Sequence, residues 1–198
     1  MPIELLIKPT YVFLFLCVTE LLLWRITRVD PGYEKKDRGS LSIIFLVVII
    51  SAHLAKLSAI YLPQFGFVGA LDLDALGKAA YYWAGLCIFA IGLMLRWFSV
   101  FYLGRLYTFE VAIAGDHQVI NCGPYRYLRH PAYTGSLLSF IGIGICAGNF
   151  FSLLLFTLPI FCALLHRINI EEAALTEALG DAYLEYANRT PLLIPFVY

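Results

Sequence analysis

The chain has 198 residues, of which 61% are hydrophobic and only 14% charged, with 14 Lys and Arg balanced by 14 Asp and Glu. A soluble domain averages about 25% charged residues, so too little polar side chain is present to clothe a water-facing surface, and lipid must cover it instead. Zero net charge implies no nucleic acid or other polyanion as partner.

A membrane-crossing helix needs about 20 mostly apolar residues. The first candidate covers residues 11–24 and reaches back to residue 3 if Pro9 is tolerated. Ahead of it lies a single lysine, with no small-residue cleavage pattern behind, so the start does not read as a removable signal. The second candidate is 41–62, closed by Pro63, and the third is 79–103. A polar stretch, 104–129, follows. The apolar run 133–166 is too long for one helix and breaks at Gly148-Asn149, which predicts two antiparallel helices with a tight turn. Residues 167–189 read as one further helix, with Leu175, Leu179, Tyr183 and Tyr186 at helical spacing and charges between them, lying outside or at the face of the membrane. Pro191 and Pro195 end regular structure.

The fold class predicted is an all-α integral membrane protein of about five transmembrane helices, the last two a helical hairpin. It forms a single membrane domain, 1–198, in which 1–103 hold three spans and 104–198 form the other half. Lys and Arg concentrate after spans one, three and five, while only Lys78 follows span two. By the positive-inside rule the N-terminus lies outside, and the 104–132 segment and the C-terminal helix share the cytoplasmic side. The five cysteines, Cys17, Cys87, Cys122, Cys146 and Cys162, form no C-x-x-C pair and read as small buried apolar residues, with neither a disulfide framework nor a metal site. Gly142, Gly144 and Gly148 include one G-x-x-x-G, a mark of close helix approach.

Charge inside a membrane is costly unless it has a partner or a task. Lys56 and His53, near one end of span two, are explained by snorkelling. Arg96, near the middle of span three, either packs against a carboxylate or carbonyls or takes part in function. The segment 116–135 gathers arginines, histidines, tyrosines and two X-Pro turns into 20 residues, a pattern that fits a ligand site better than a plain loop. Arg167 and Glu171, four apart, share a helix face; they form either a simple ion pair or part of a site on the same side as that segment.

The run Gly123-Pro124-Tyr125-Arg126-Tyr127-Leu128-Arg129-His130-Pro131-Ala132-Tyr133-Thr134-Gly135, with Glu171-Glu172, Tyr183-x-x-Tyr186 and Arg189-Thr190-Pro191 behind it, resembles the signature of the isoprenylcysteine carboxyl methyltransferases, within a wider group of membrane phospholipid methyltransferases and some sterol reductases. The resemblance covers about 104–198 and implies that this half, with the cytoplasmic loop and C-terminal helix, forms the cofactor site. It implies S-adenosyl-L-methionine as methyl donor, with S-adenosyl-L-homocysteine as product, and a lipid-modified cysteine or other lipid as acceptor. Carried over by position, the cofactor contacts are His117, Gln118, Val119, Ile120, Tyr125, His130, Pro131, Ala132, Tyr133 and Glu171, with Glu110 where relatives tend to have an amide. Arg167 faces the acceptor carboxylate and is the catalytic and substrate-binding residue. The chemistry agrees: tyrosines can hold a sulfonium by cation–π contact, Glu171 can take the amino group, and Arg126, Arg129 or backbone N–H groups the cofactor carboxylate. No strand–GxG–helix unit is present, so the binding mode differs from that of soluble methyltransferases. A carboxylate acceptor needs no general base; an amine acceptor would call on one such as His130 or Glu172. The alternatives are amine methylation of a phospholipid headgroup, an NADPH-binding reductase, and a non-catalytic scaffold or small transporter. The membrane is the cell membrane in a prokaryote and the endoplasmic reticulum in a eukaryote.

Overall fold

The structure is a computed structural model, which describes residues 8–27, 34–35, 37, 39–61, 64, 75–107, 112–113 and 119–194. The described elements are α1 (Pro9–Ile26), β1 (Glu34–Lys35), α2 (Ser40–Tyr61), α3 (Ala75–Leu103), β2 (Ala112–Ile113), α4 (Pro131–Cys146), α5 (Phe150–Leu179) and α6 (Asp181–Arg189), with single 3₁₀ turns at Gly104–Leu106 and Gly123–Arg126. Four helices, α1, α2, α3 and α5, are long and apolar enough to cross a bilayer, and α4 is a shorter apolar helix of 16 residues. The protein is thus a multi-pass membrane protein. Pro9 stands at the first turn of α1, where its missing N–H costs nothing; the backward extension to residue 3 lies outside the described residues.

Helix ends fall where local chemistry puts them. Pro131 opens α4 and fixes its φ in advance. Gly148, at φ +66°, turns the chain, and the Asn149 side chain accepts from Ser152 N at 3.0 Å to cap α5. One expectation is corrected here. Residues 167–189 are not a separate helix: α5 runs unbroken from the apolar core through Arg167 to Leu179, because nothing between 166 and 179 stops a helix. The break comes at Gly180, whose backbone (φ +55°, ψ −134°) is open to glycine and costly for other residues.

Two antiparallel pairs build the body. In α3 and α4 the backbones touch along a glycine seam. A Cβ added at Gly92 would lie 2.5 Å from Ser139 N, and one at Gly135 would lie 2.5 Å from Arg96 N. One at Gly142 would lie 2.5 Å from Phe89 N. The seam therefore uses Gly85, Gly92, Gly135 and Gly142, seven apart on each helix, and not the G-x-x-x-G: Gly144 meets Leu153 of α5, and Gly148 only turns. The second pair is α2 and α5, joined at one end by Ser152 Oγ to Ala55 O (3.0 Å) and at the other by Arg167 to Ser40 (3.0 Å). Helix α1 lies across them, closing a core of Val12, Leu16, Phe89, Phe140, Ile143, Phe156, Ile160 and Leu164. The cysteines are also corrected: only Cys146 is buried, and Cys17, Cys87 and Cys162 lie on exposed faces of the helices that lipid covers, while Cys122 is exposed in the polar segment. Cys17, Cys87 and Cys162 are apolar fillers of the outer face.

Three polar segments meet at one end of this body. Strand β1 pairs antiparallel with β2, tying the α1–α2 connection to the polar segment after α3. That segment in turn is bound to the C-terminal stretch by Arg129 N to Pro191 O (2.9 Å), His130 N to Leu192 O (3.1 Å) and Thr134 Oγ1 to Leu193 O (2.8 Å).

Candidate functional site

Beneath the polar end, α1, α2, α3, α4 and α5 line a half-open cavity of about 410 Å³. Phe13, Leu16, Ile44, Phe45, Val48, Phe140 and Leu164 make its walls apolar, and Glu20, Arg96, Tyr107, Tyr133 and Arg167 stand in it as polar groups. A chamber of this size, apolar with a few convergent polar groups, has the character of a small-ligand site.

Arg96 is 5% exposed and pairs bidentately with Glu20 of α1, Nε to Oε1 and Nη2 to Oε2 both at 2.5 Å, while Nη1 reaches Ala132 O at 3.4 Å. Of the readings open for Arg96 in the sequence, the carboxylate partner is realised. Glu20 escaped sequence reading. The signal that exposes Arg96, a lone charge in an apolar span, applies equally to it, and opposite lone charges in two spans are expected to pair.

Arg167, 4% exposed, projects from α5. Its Nε donates to Tyr133 Oη (2.8 Å), whose hydroxyl donates to Glu171 Oε2 (2.7 Å). Tyr133 therefore bridges the two α5 residues that sequence spacing alone left as a possible direct ion pair. Arg167 Nη1 also binds Asp37 Oδ1 at 2.8 Å and Ser40 Oγ at 3.0 Å. Asp37, 130 residues away in sequence, likewise escaped sequence reading.

Beside this lies a second network. Glu172 accepts from His130 Nε2 (2.6 Å), from Tyr183 Oη of α6 (2.5 Å) and from Arg129 Nη1. His130 Nδ1 stands 4.0 Å from Glu171 Oε1. Tyr186 Oη donates to Tyr125 O (2.7 Å), and Tyr125 Oη to Ser99 O (3.2 Å), pinning the 123–126 turn between α6 and α3. Burial pushes the Tyr125 phenol up, helped by the nearby Tyr107 and Glu171 charges. Burial also raises Tyr183, reinforced by its bond to Glu172, and raises Tyr186. All three phenols are held as neutral donors.

Of the residues singled out in the sequence, Arg167, Tyr133, Glu171 and His130 come together directly. Pro131 and Ala132 are buried at the start of α4, Tyr125 is buried above them, and Val119 and Ile120 lie half-buried on the approach to the 123–126 turn. Glu110, His117 and Gln118 lie outside the described residues. Arg126 is exposed, and Arg129, offered as a carboxylate binder, is already engaged by Glu172 through Nη1; its buried Nε has no partner among the described residues.

The helical membrane body thus holds an apolar chamber roofed by ionised and phenolic groups. Comparison with known proteins adds the following similarities. Residues 83–177 match the isoprenylcysteine carboxyl methyltransferase (ICMT) family. The protein-S-isoprenylcysteine O-methyltransferase of Schizosaccharomyces pombe is 33% identical over 121 residues, 60% of this chain and 51% of that protein. Protein-S-isoprenylcysteine O-methyltransferase B of Arabidopsis thaliana is 29% identical over 191 residues, 85% of this chain and 96% of that protein. The structure of a eukaryotic intramembrane Ras methyltransferase, ICMT, matches with TM-score 0.64 at 20% identity, covering 98% of this chain and 70% of that one, a likeness of fold. The similarity to the isoprenylcysteine carboxyl methyltransferase family is centred on residues 83–177, just under half of the chain, and the likeness of fold extends over nearly all of it. It spans about half the length of the S. pombe relative and nearly all of the A. thaliana one.

Proposed function

We propose that this protein transfers a methyl group from S-adenosylmethionine to the C-terminal carboxylate of a prenylated cysteine or a similar lipid-linked acceptor. The observation that carries this reading is the placement of Arg167 and Glu171 one turn apart on α5, the first in the apolar chamber and the second in the polar cap. The cap faces the cytoplasm by the Lys and Arg bias, and residues 104–198 supply the cofactor contacts. Val119, Ile120, Tyr125, His130, Pro131, Ala132, Tyr133 and Glu171 would hold the cofactor, with Glu110, His117 and Gln118 ahead of them. Two features of the cap fit such a molecule: Glu171 is part-exposed and able to take an amino group, and the unpartnered Arg129 Nε is a donor for a carboxylate.

S-adenosylmethionine supplies, when bound, a methyl group on a sulfonium sulfur, which leaves with its bonding electron pair as a neutral thioether. The protein's part is alignment. Arg167 orients the acceptor carboxylate without protonating it, because a guanidinium keeps its proton. The carboxylate is ionised at neutral pH, so one of its oxygens forms the new bond to carbon and no proton is moved. His130 and Glu172, the bases an amine acceptor would need, are engaged with each other and with Arg129 and Tyr183, which favours the carboxylate reading. The apolar chamber takes the prenyl tail and excludes water from the reacting pair.

The test is purified protein with methyl-labelled S-adenosylmethionine and N-acetyl-S-farnesylcysteine. The expected product is a base-labile methyl ester. Cofactor binding without such a product overturns the proposal, and base-stable label in phospholipid replaces it with amine methylation. Glu171→Ala is expected to weaken cofactor binding by roughly ten- to a hundredfold, the worth of a charge-assisted hydrogen bond. Arg167→Ala is expected to keep cofactor affinity and lose turnover; calorimetry beside initial rates separates the two.

A further inference from the structure

We infer that Asp37 is an internal stand-in for the acceptor's carboxylate, bound to Arg167 until the acceptor displaces it; the inference rests on the proposed carboxylate acceptor. Arg167 has two faces. One lines the apolar chamber. The other is taken by Asp37, whose Oδ1 accepts from Arg167 Nη1 (2.8 Å) and Ser40 Oγ (2.9 Å) and whose Oδ2 accepts from Leu41 N (3.2 Å). A guanidinium, a hydroxyl and the Leu41 N–H in the first turn of α2 thus converge on one carboxylate, a donor set suited to binding an anion. Leu41 itself lines the chamber, so an acceptor whose tail lies there carries its carboxylate to the edge of the same donor set.

Two carboxylates cannot share one buried guanidinium without mutual repulsion. The acceptor anion must therefore compete with Asp37. Only an anion gains enough from Arg167 to do so, which makes Asp37 a determinant of specificity: it selects carboxylate over neutral or amine headgroups. Methylation removes the charge from the acceptor. The ester keeps only a neutral carbonyl acceptor, a weaker partner for Arg167 than an anion, so Asp37 returns and the product is held mainly by its tail.

The decisive variant is Asp37→Asn in the full chain. Asn is a good helix cap and keeps one oxygen for Arg167 and Ser40, while its amide NH2 replaces the Oδ2 that accepts from Leu41 N, and a thermal melt checks that the fold is kept. The measured quantity is the ratio of affinities for N-acetyl-S-farnesylcysteine and its methyl ester, read by equilibrium binding in detergent. In Asp37→Asn the acid is expected to bind roughly three- to tenfold more tightly, as removal of a competing occupant predicts, with the ester unchanged. Asp37→Glu, which restores a competing charge, should return the ratio to that of wild type. An acid that gains nothing over the ester in Asp37→Asn overturns the inference and leaves Asp37 as a clamp between α2 and α5. The readout is binding, so it stands whether or not ester is formed: failure of methyl transfer counts against the proposed function alone.

Discussion

Charges decide this molecule at the scale of single residues, and each key charge is neutralised from far along the chain. Glu20 meets Arg96 across 76 residues, and Asp37 meets Arg167 across 130. Removing one member of a buried pair strands the other, at a cost of about 3–5 kcal/mol. Glu20→Ala is therefore expected to lower the detergent melting temperature sharply, and Glu20→Ala with Arg96→Met to recover most of the loss. A double variant no more stable than the single one would mean the pair matters for something besides charge balance. Arg96, Arg167 and Glu171 were all legible in the sequence as residues of interest, because charge in or beside an apolar span stands out. Their partners were not, because pairing at such separations follows from the packing of helices, which no local pattern encodes. Glu172 illustrates the reverse: it reads as a spare base beside Glu171 and proves to be a hub, holding His130, Arg129 and Tyr183 at once.

Among the helices, the closest contact is the glycine seam of α3 and α4, where an added methyl group meets backbone that cannot move aside. Gly92→Ala and Gly135→Ala are each expected to destabilise the protein by about 1–3 kcal/mol through overpacking. Gly144→Ala should cost less, because the atom it meets, Leu153 Cδ1 at 2.5 Å, ends a flexible side chain. Melting temperatures of the three variants in one detergent test the order. Helix positions were largely legible: apolar length gave α2 to within a residue or two at each end, and Gly148-Asn149 marked the α4–α5 turn. The division of the tail was not. Its amphipathic spacing continues across Gly180, so periodicity alone joins what one glycine at positive φ separates. The glycine reading held in part: Gly142 lies in the seam and Gly144 packs close on Leu153 of α5, whereas Gly85, Gly92 and Gly135 were not legible, since a G-x-x-x-G match is local and the seam needs two helices in register.

The whole molecule is an apolar body with a polar cap, and the two answer to different conditions. Tyr125, Tyr183 and Tyr186 belong to the cap, and all three phenols are raised above their ordinary value. The sign follows: above about pH 10 the unfolded chain releases phenol protons that the folded cap keeps, so folding stability is intact below that pH and falls as pH rises, by up to about 1.4 kcal/mol per pH unit for each phenol. Melting curves in detergent between pH 8 and pH 11 should show this decline, and Tyr183→Phe should flatten it. A melting temperature that stays level to pH 11 would mean the phenols are accessible in the folded cap. The membrane class was legible from composition alone, whereas the cap's closure was not, because it depends on backbone bonds from Arg129 and His130 to Pro191 and Leu192.

The unbroken passage of α5 from core to cap has a further consequence. Arg167 and Glu171 are four residues apart on one rigid rod, so about 6 Å of rise separates their attachment points. On the proposed function, the spacing between the side chain that meets the lipid-borne reactant and the one that meets the water-borne reactant is thus ruled by helical pitch. The chamber walls that α1 and α2 contribute could then be recut for a longer or shorter hydrocarbon tail while that gauge stays constant.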